Sequence, residues 1–544
     1  MRTSQRTAPV QRITALLLSI TVSLAGLATA AGAARPLAQA STASTFAQAQ
    51  ESVAGSLPGV GHDATYRQAP CPKPNVPGFP QANLGPNFKC GYLTVPENRY
   101  KPHGRKIRIA VAIAEAATRH PHPDPILWLE GGPGVTGLAV AVGVVKAGIN
   151  ADRRIIFIDQ RGTLHADPLL SCPEIDRFLR RSVGLAPTNP ATGAQDVAAV
   201  RACRDRLAAQ GYDLSAYNTA ENAADVADLR VALHVKQWNV YGVSYGTDLA
   251  LQLLRDYPTG IRSMVLDSIV PPQLNLIQEF WPAAQRGYQA VFDACAAQPA
   301  CHTAYPNLRG EFTAAVNRLT RKPLTVAVRD PATAQRTKVV FDGYQLANLL
   351  LVLSLYPGSL ADAPAMVHKL AAGDGMPAAI KLLGTVPRFV GLTGYGLAYG
   401  VFCSEDVPFT TLHKVEAVAR QALPTFPARV LALVPQIPRL FSECTVWHVH
   451  RASPSVSQPV HSAVPVLLLT GTFDAITSPA WADLAAQGLT HSTVLRFPGA
   501  GHDPIAWRHK CGVTVMVKFL DRPKGGYDTS CVDKLSVPAF KTGP

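Results

Sequence analysis

Gly242-Val243-Ser244-Tyr245-Gly246 places a serine between two glycines. The apolar run Trp238 to Tyr241 precedes it, and Thr247 to Tyr257 follows with Leu249, Ala250, Leu253 and Leu254 on one helical face. Glycines at these positions let a strand turn sharply into a helix and leave the serine hydroxyl exposed in a strained elbow. A serine hydroxyl is a poor nucleophile until a base takes its proton, and that base needs an orienting acid. After a strand–turn–helix nucleophile the expected chain order is acid, then histidine. Asp474, in Gly471-Thr472-Phe473-Asp474, follows the apolar run Val464 to Leu469. His502, in Gly499-Ala500-Gly501-His502-Asp503, follows Thr493 to Phe497. Ser244, Asp474 and His502 are therefore the expected nucleophile, acid and base. Asp267, after Met264 to Leu266, is a rival acid, but the strand just before the histidine strand is the commoner source.

An oxyanion formed on attack needs preorganised N–H donors. The backbone N–H of Tyr245 is one expected donor. The other should come from the loop Gly131-Gly132-Pro133-Gly134, which follows the apolar run Pro125 to Leu129. Pro133 has no N–H, so Gly132 is the choice and Gly134 the second.

These residues need a scaffold. Lys106–Ala114 alternates with period two, and Arg154–Ile158 is a short apolar run ended by Asp159-Gln160-Arg161-Gly162. A helical stretch covers about 220–234. Short apolar strands alternating with helices argue a mostly parallel sheet covered on both faces. The alternation stops at Pro271-Pro272 and resumes at Val464. The reading is one α/β core (85–270 and 463–544) carrying a large helical cap (271–462) before the last core strands. Such an insertion sits over the carboxyl ends of the strands, where ligands bind in open α/β sheets.

The motifs GGPG at 131–134, DQRG at 159–162, GVSYGT at 242–247, GTFDAITSP at 471–479 and GAGH at 499–502 resemble the secreted proline iminopeptidase and tripeptidyl aminopeptidase group of α/β-hydrolases. The resemblance spans both halves of the core and the insertion point. It implies an α/β-hydrolase fold with a TAP-like C-terminal region. It also implies a serine peptidase that releases residues or short peptides from a free N-terminus, with acidic side chains of the cap holding the substrate amine. The chain departs from the iminopeptidase pattern at Glu130, where a histidine usually precedes GGPG, which puts strict proline specificity in doubt. In the cap, Cys403-Ser404-Glu405-Asp406 and Glu443-Cys444 stand out. If the two cysteines pair, Glu405 and Glu443 are tied close together and suit an α-ammonium group. The alternative activity is that of an esterase or other small-acyl hydrolase, because one fold hosts many chemistries. A catalytically dead binding protein on the same scaffold is disfavoured by the ordered trio. Asp159 and Arg161 read as braces of the active-site loops.

Arg2, Arg6 and Arg12 precede an apolar run from Ile13 to Leu27 and small residues to Ala33. That is the pattern of an export signal over 1–33, followed by a leader and N-terminal extension over 34–84. The run is short of the ~20 apolar residues that span a bilayer. The expected location is secreted or periplasmic, with no stable membrane insertion once the signal is cleaved. Removing three arginines and no acid takes the formal charge from +14 to +11. The charges are scattered, with no basic block interleaved with aromatics, which argues against a nucleic-acid partner. Hydrophobic residues at 47% and charged ones at 16% argue against wholesale disorder. Ten cysteines behind an export signal point to disulfides. Roughly nine hundred pairings exist by extension of the usual count. Spacing favours neighbours: Cys71–Cys90, Cys172–Cys203, Cys295–Cys301, Cys403–Cys444 and Cys511–Cys531. His120-Pro121-His122 and His448-Val449-His450 lack partners at metal-site spacing, so no metal is expected, and the chemistry requires no cofactor.

Overall fold

The structure, a computed structural model, describes residues 57–61, 63–73, 84–331, 333–385 and 391–543. The expected export signal, 1–33, lies outside them, as does most of the expected leader. Eleven strands are present among the described residues: β1 Thr65–Gln68, β2 Phe88–Pro96, β3 Lys106–Ala114, β4 Ile126–Leu129, β5 Ile155–Ile158, β6 Trp238–Val243, β7 Ile261–Asp267, β8 Leu324–Arg329, β9 Arg336–Phe341, β10 Val466–Gly471 and β11 Ser492–Phe497. Nine form one sheet in the order β1-β2-β3-β5-β4-β6-β7-β10-β11. The first three pairings are antiparallel, and every pairing from β5 to β11 is parallel. The chain therefore has the α/β-hydrolase fold.

The parallel strands are short and apolar throughout because helices cover both faces. Every residue of β4, β5, β6 and β10 is buried. One face packs Trp238, Val240 and Leu468 against the helices Thr219–Ala232 and Tyr245–Asp256. The other packs Tyr241, Val265 and Leu469 against Gly137–Lys146 and His509–Asp521.

The segment between β7 and β10 carries mostly helices, among them Leu276–Ala297, Leu308–Arg321, Gly343–Leu353 and Tyr395–Val401. Its core is a second apolar cluster built on Trp281, Phe312, Phe341 and Leu350. The sequence pattern revealed no strand here. The antiparallel hairpin β8–β9 is nonetheless present, because its burial alternates and leaves no continuous apolar run. The N-terminal extension joins the sheet: β1 pairs with β2, and Cys71 is bonded to Cys90. All five neighbour disulfides are formed, and no cysteine is free. Among the described residues no helix is long and apolar enough to cross a membrane.

Candidate active site

Ser244 stands between β6 and the helix Tyr245–Asp256 with φ +56° and ψ −127°, a left-handed conformation that a serine holds only under constraint. Its N–H donates to the carbonyl of Asp267 at 2.9 Å, and its own carbonyl accepts from the Thr247 N–H and hydroxyl. Both elbow glycines are sterically required. A Cβ on Gly246 would meet the carbonyls of Leu129 and Glu130, the latter at 2.9 Å, and one on Gly242 would lie 2.8 Å from the Gly246 carbonyl carbon.

Two and three strands along the sheet from β6, β10 and β11 deliver the other two residues past their carboxyl ends. His502 Nδ1 lies 2.9 Å from Asp474 Oδ2. Asp474 also accepts from the N–H groups of Ile476 and Thr477 at 2.8 Å, from the Thr477 hydroxyl at 2.6 Å and from the Ser268 hydroxyl at 3.0 Å. Burial alone would raise the Asp474 pKa. The imidazole charge and this set of donors outweigh it and hold the carboxyl below its usual range. Nδ1 is engaged, so Nε2 is the nitrogen left to move a proton. It is buried and has no hydrogen-bond partner among the described residues. Catalytic hydrogen bonds of this kind are commonly open without substrate. The cap reaches this site: the His502 N–H donates to the Ser354 carbonyl at 2.8 Å.

The rival acid faces elsewhere. Asp267 accepts from the Tyr241 hydroxyl at 3.1 Å and the Ile505 N–H at 3.3 Å. Burial, then the neighbouring Asp503 carboxylate, push its pKa well up.

Gly132 and Tyr245 line one cavity with Ser244. Tyr245 is the first residue of its helix, where N–H groups have no intrahelical acceptor. Gly132 and Gly134 have φ of +115° and +96°, conformations that favour glycine. The Gly134 carbonyl accepts from the cap residue Gly394 at 2.7 Å. From below, Asp159 fixes the loop: its carboxylate accepts from the Thr136 hydroxyl at 2.6 Å, the Leu138 N–H at 3.1 Å and His165 at 3.0 Å. Glu130 is buried, with one oxygen on Trp128 Nε1 and the other without a hydrogen-bond partner among the described residues. Burial pushes its pKa up to about 7.

The cap acids depart from expectation. Cys403 is bonded to Cys444, yet Glu405 and Glu443 face different cavities. Glu405 lines the Ser244 cavity, but both its oxygens are taken by Thr219, from N–H at 2.7 Å and hydroxyl at 2.6 Å. Proximity along the disulfide did not fix direction, because Phe402–Asp406 forms a wide π-helical turn that aims Glu405 back at the core. Glu443 lines a larger, mostly apolar cavity of about 250 Å³, together with Asp196, Tyr395, Tyr399 and Arg439. It is hydrogen-bonded to the Asp196 carboxyl and accepts from the Tyr399 hydroxyl at 3.2 Å. Pro133 of the oxyanion loop and Phe402 of the cap line both cavities.

Sequence reasoning missed Asp196, Ser268 and Thr477. Thr477 lies within the GTFDAITSP motif and was findable there. Asp196 is an acid inside the helix Pro190–Ala209, and nothing in its surroundings marks it. His122, Asp152 and Asp521 come together at the surface, but Arg153 already bonds both carboxylates.

Comparison with known proteins bears on the fold and the family. Residues 124–345 match the family described as the alpha/beta hydrolase fold, and residues 435–531 match the TAP-like protein family. A tripeptidyl aminopeptidase of Streptomyces lividans is 32% identical over 39% of this chain and 40% of its own length. A probable proline iminopeptidase of Streptomyces coelicolor is 25% identical over 44% of this chain and 58% of its own. These matched regions span about two fifths to three fifths of the curated relatives. Among solved structures, proline iminopeptidase of Mycobacterium smegmatis aligns over 80% of this chain and 98% of its own, with 16% identity and a TM-score of 0.38.

Proposed function

Starting from an enzyme of the α/β-hydrolase fold whose relatives include tripeptidyl aminopeptidases and proline iminopeptidases, we propose that this chain is an exported serine exopeptidase acting on peptides with a free N-terminus. The observation that carries the reading is the pairing of His502 Nδ1 with Asp474 at the carboxyl end of the sheet whose elbow holds Ser244.

Ser244 Oγ attacks the scissile carbonyl while His502 Nε2 takes its proton. The negative charge that forms on the carbonyl oxygen is held by the N–H groups of Tyr245 and Gly132. Asp474 fixes the imidazole tautomer and stabilises the imidazolium without itself taking the proton. His502 then protonates the leaving amine, the C–N bond breaks and an acyl-enzyme remains. Water, deprotonated by the same nitrogen, releases the acid and restores Ser244. These steps draw on no metal or cofactor.

A free α-ammonium needs negative charge in an enclosed place. Glu443 and Asp196 supply it in the larger cavity beside the Ser244 site, and Glu405 is better read as a brace on Thr219. An ammonium entering that cavity replaces the proton the pair shares with two charge-assisted hydrogen bonds. The apolar walls suit the side chains of a short acyl segment. Export is supported by the signal pattern at 1–33 and by five disulfides, which persist in oxidising compartments.

The test is product release from paired aminoacyl and tripeptidyl chromogenic amides, with free and acetylated N-termini, plus a p-nitrophenyl ester. Ser244→Ala and fluorophosphonate labelling serve as controls. Cleavage restricted to free-amine amides is the expected result. Turnover of the ester alone, or indifference to acetylation, would make the protein an esterase.

A further inference from the structure

We propose that Ser268 is a positioning residue that holds the carboxylate of Asp474 and the turn after His502 in one fixed relation. The inference rests on the serine-nucleophile reading above and concerns what keeps its acid and base aligned.

Asp474 and His502 come from separate loops, after β10 and β11, which bond each other through Phe473 N–H to the Ala500 carbonyl at 2.8 Å and Gly499 N–H to Thr472 Oγ1 at 2.9 Å, and Ser268 ties both to a third strand. Ser268 follows β7, the strand between the nucleophile strand and β10. Its N–H donates to the Leu469 carbonyl at 2.9 Å, which locks it to β10. Its hydroxyl donates to Asp474 Oδ2 at 3.0 Å and accepts from the Asp503 N–H at 2.8 Å. One hydroxyl thus uses its donor on the acid and a lone pair on the residue next to the base. The preceding residue grips the same turn, because Asp267 accepts from the Ile505 N–H at 3.3 Å.

The backbone makes the hydroxyl informative. Ser268 has φ +59°, and Asp503 has φ +62°. Ser268 is wholly buried, so it gains nothing from water. A non-glycine residue in this region carries strain that surrounding contacts must over-determine. Glycine would occupy the position without strain, and what it lacks is the hydroxyl. Removing that hydroxyl takes away the acceptor 2.8 Å from the Asp503 N–H and frees one lobe of Asp474 Oδ2.

The groups facing His502 are Asp474 and Thr477 after β10, the Ser354 carbonyl from the cap, Glu130 beside the oxyanion loop, and Asp503 with Asp267 behind it. Of these, Ser268 touches Asp474 directly. A carboxylate with one donor fewer concentrates its charge on Nδ1–H, which favours the imidazolium. The acid limb of kcat/KM therefore moves to higher pH when the hydroxyl is lost.

The experiment compares Ser268→Ala with Ser268→Gly on the full chain. Both lack the hydroxyl, and Gly also relieves the backbone, so Gly should have the higher Tm. Positioning requires that both lose kcat by about tenfold or more, with little change in KM and the same upward shift of the acid limb. If activity instead follows Tm, with Ser268→Gly close to wild type, Ser268 is only a turn residue and the inference is overturned. Fluorophosphonate labelling separates the two levels. Wild type labelled at Ser244 with unaffected Ser268 variants refutes the positioning role alone, whereas an unlabelled wild type refutes the triad beneath it.

Discussion

The carboxyl groups of Asp196, on a core helix, and Glu443, on a cap helix, are hydrogen-bonded to one another within an apolar cavity next to Ser244. Burial is the main reason both resist ionisation, and Arg439 offsets it in part. Asp196 is pushed up to about 7, and Glu443 well above its usual range. Glu443 thus keeps a proton and donates it to Asp196. The pair carries one negative charge above neutrality and none in acid.

Asp196→Asn should raise KM for free-amine peptides by about tenfold or more, the worth of a charge-assisted hydrogen bond. It should leave ester turnover nearly unchanged. In the wild type, KM for the same peptides should rise as pH falls below about 7, as Asp196 takes up its proton. Steady-state kinetics on amide and ester pairs from pH 5 to 9 would check both, and equal losses on both substrates would refute the anchor.

Asp474→Asn and Asp267→Asn should part company. The first leaves the imidazole in the wrong tautomer and should cost about 10⁴-fold in kcat, as in other serine triads. The second replaces an acid whose pKa burial pushes well up and which does not touch His502, so kcat should stay within a few-fold. It should also stabilise the fold selectively. Asp267 has a raised pKa in the native state, so its ionisation opposes folding once pH exceeds the unfolded carboxylate value. The Tm gain of Asp267→Asn should therefore appear at pH 7 and vanish near pH 3. Thermal melts at the two pH values measure it.

The elbow at Ser244 and the strand ends before Asp474 and His502 were legible because each leaves a local pattern: glycines around the serine, and an apolar run before each of the other two. Strands buried on both faces read plainly as apolar runs. The hairpin β8–β9 was not legible, because half its residues face outward and its pattern is diluted by Arg329, Arg336 and Lys338. Asp196 was invisible for another reason. Its partner Glu443 lies 247 positions away, and their meeting is a product of cap docking rather than of any local spacing. Glu405 was visible but its direction was not: the disulfide ties its turn to the helix of Glu443, while the π-helical turn fixes where it points.

Arg161 of the DQRG segment should prove structural. Its guanidinium spans both oxygens of Asp225 at 2.8 Å and the carbonyls of Glu97 and Ala216 at 2.6 Å. Arg99 binds Asp225 and Asp228 from the same side and also Glu221. The three acids lie on one face of the helix Thr219–Ala232, whose Thr219 and Asn222 contact the Tyr245 hydroxyl. Arg161→Met would strand buried carboxylates and should cost about 3–5 kcal/mol of stability. Denaturant unfolding measures that loss. Surviving native enzyme should keep its KM, since the network holds the elbow helix and touches no substrate.

Loss of the Cys403–Cys444 disulfide should weaken the enzyme in two separable ways. The bond closes a loop with a sequence separation of 41, for which the chain-entropy relation gives about 4 kcal/mol of stabilisation. A Cys403→Ser, Cys444→Ser double variant should therefore unfold at markedly lower denaturant. The same bond ties the turn carrying Phe402, a wall of both cavities, to the helix carrying Glu443. Loosening that joint moves Glu443 relative to Ser244 without touching the elbow or His502. KM for free-amine peptides should rise more than KM for the ester, with the rate of fluorophosphonate labelling at Ser244 preserved. A labelling rate that fell in step with peptide turnover would mean that the cap bond holds the nucleophile site itself.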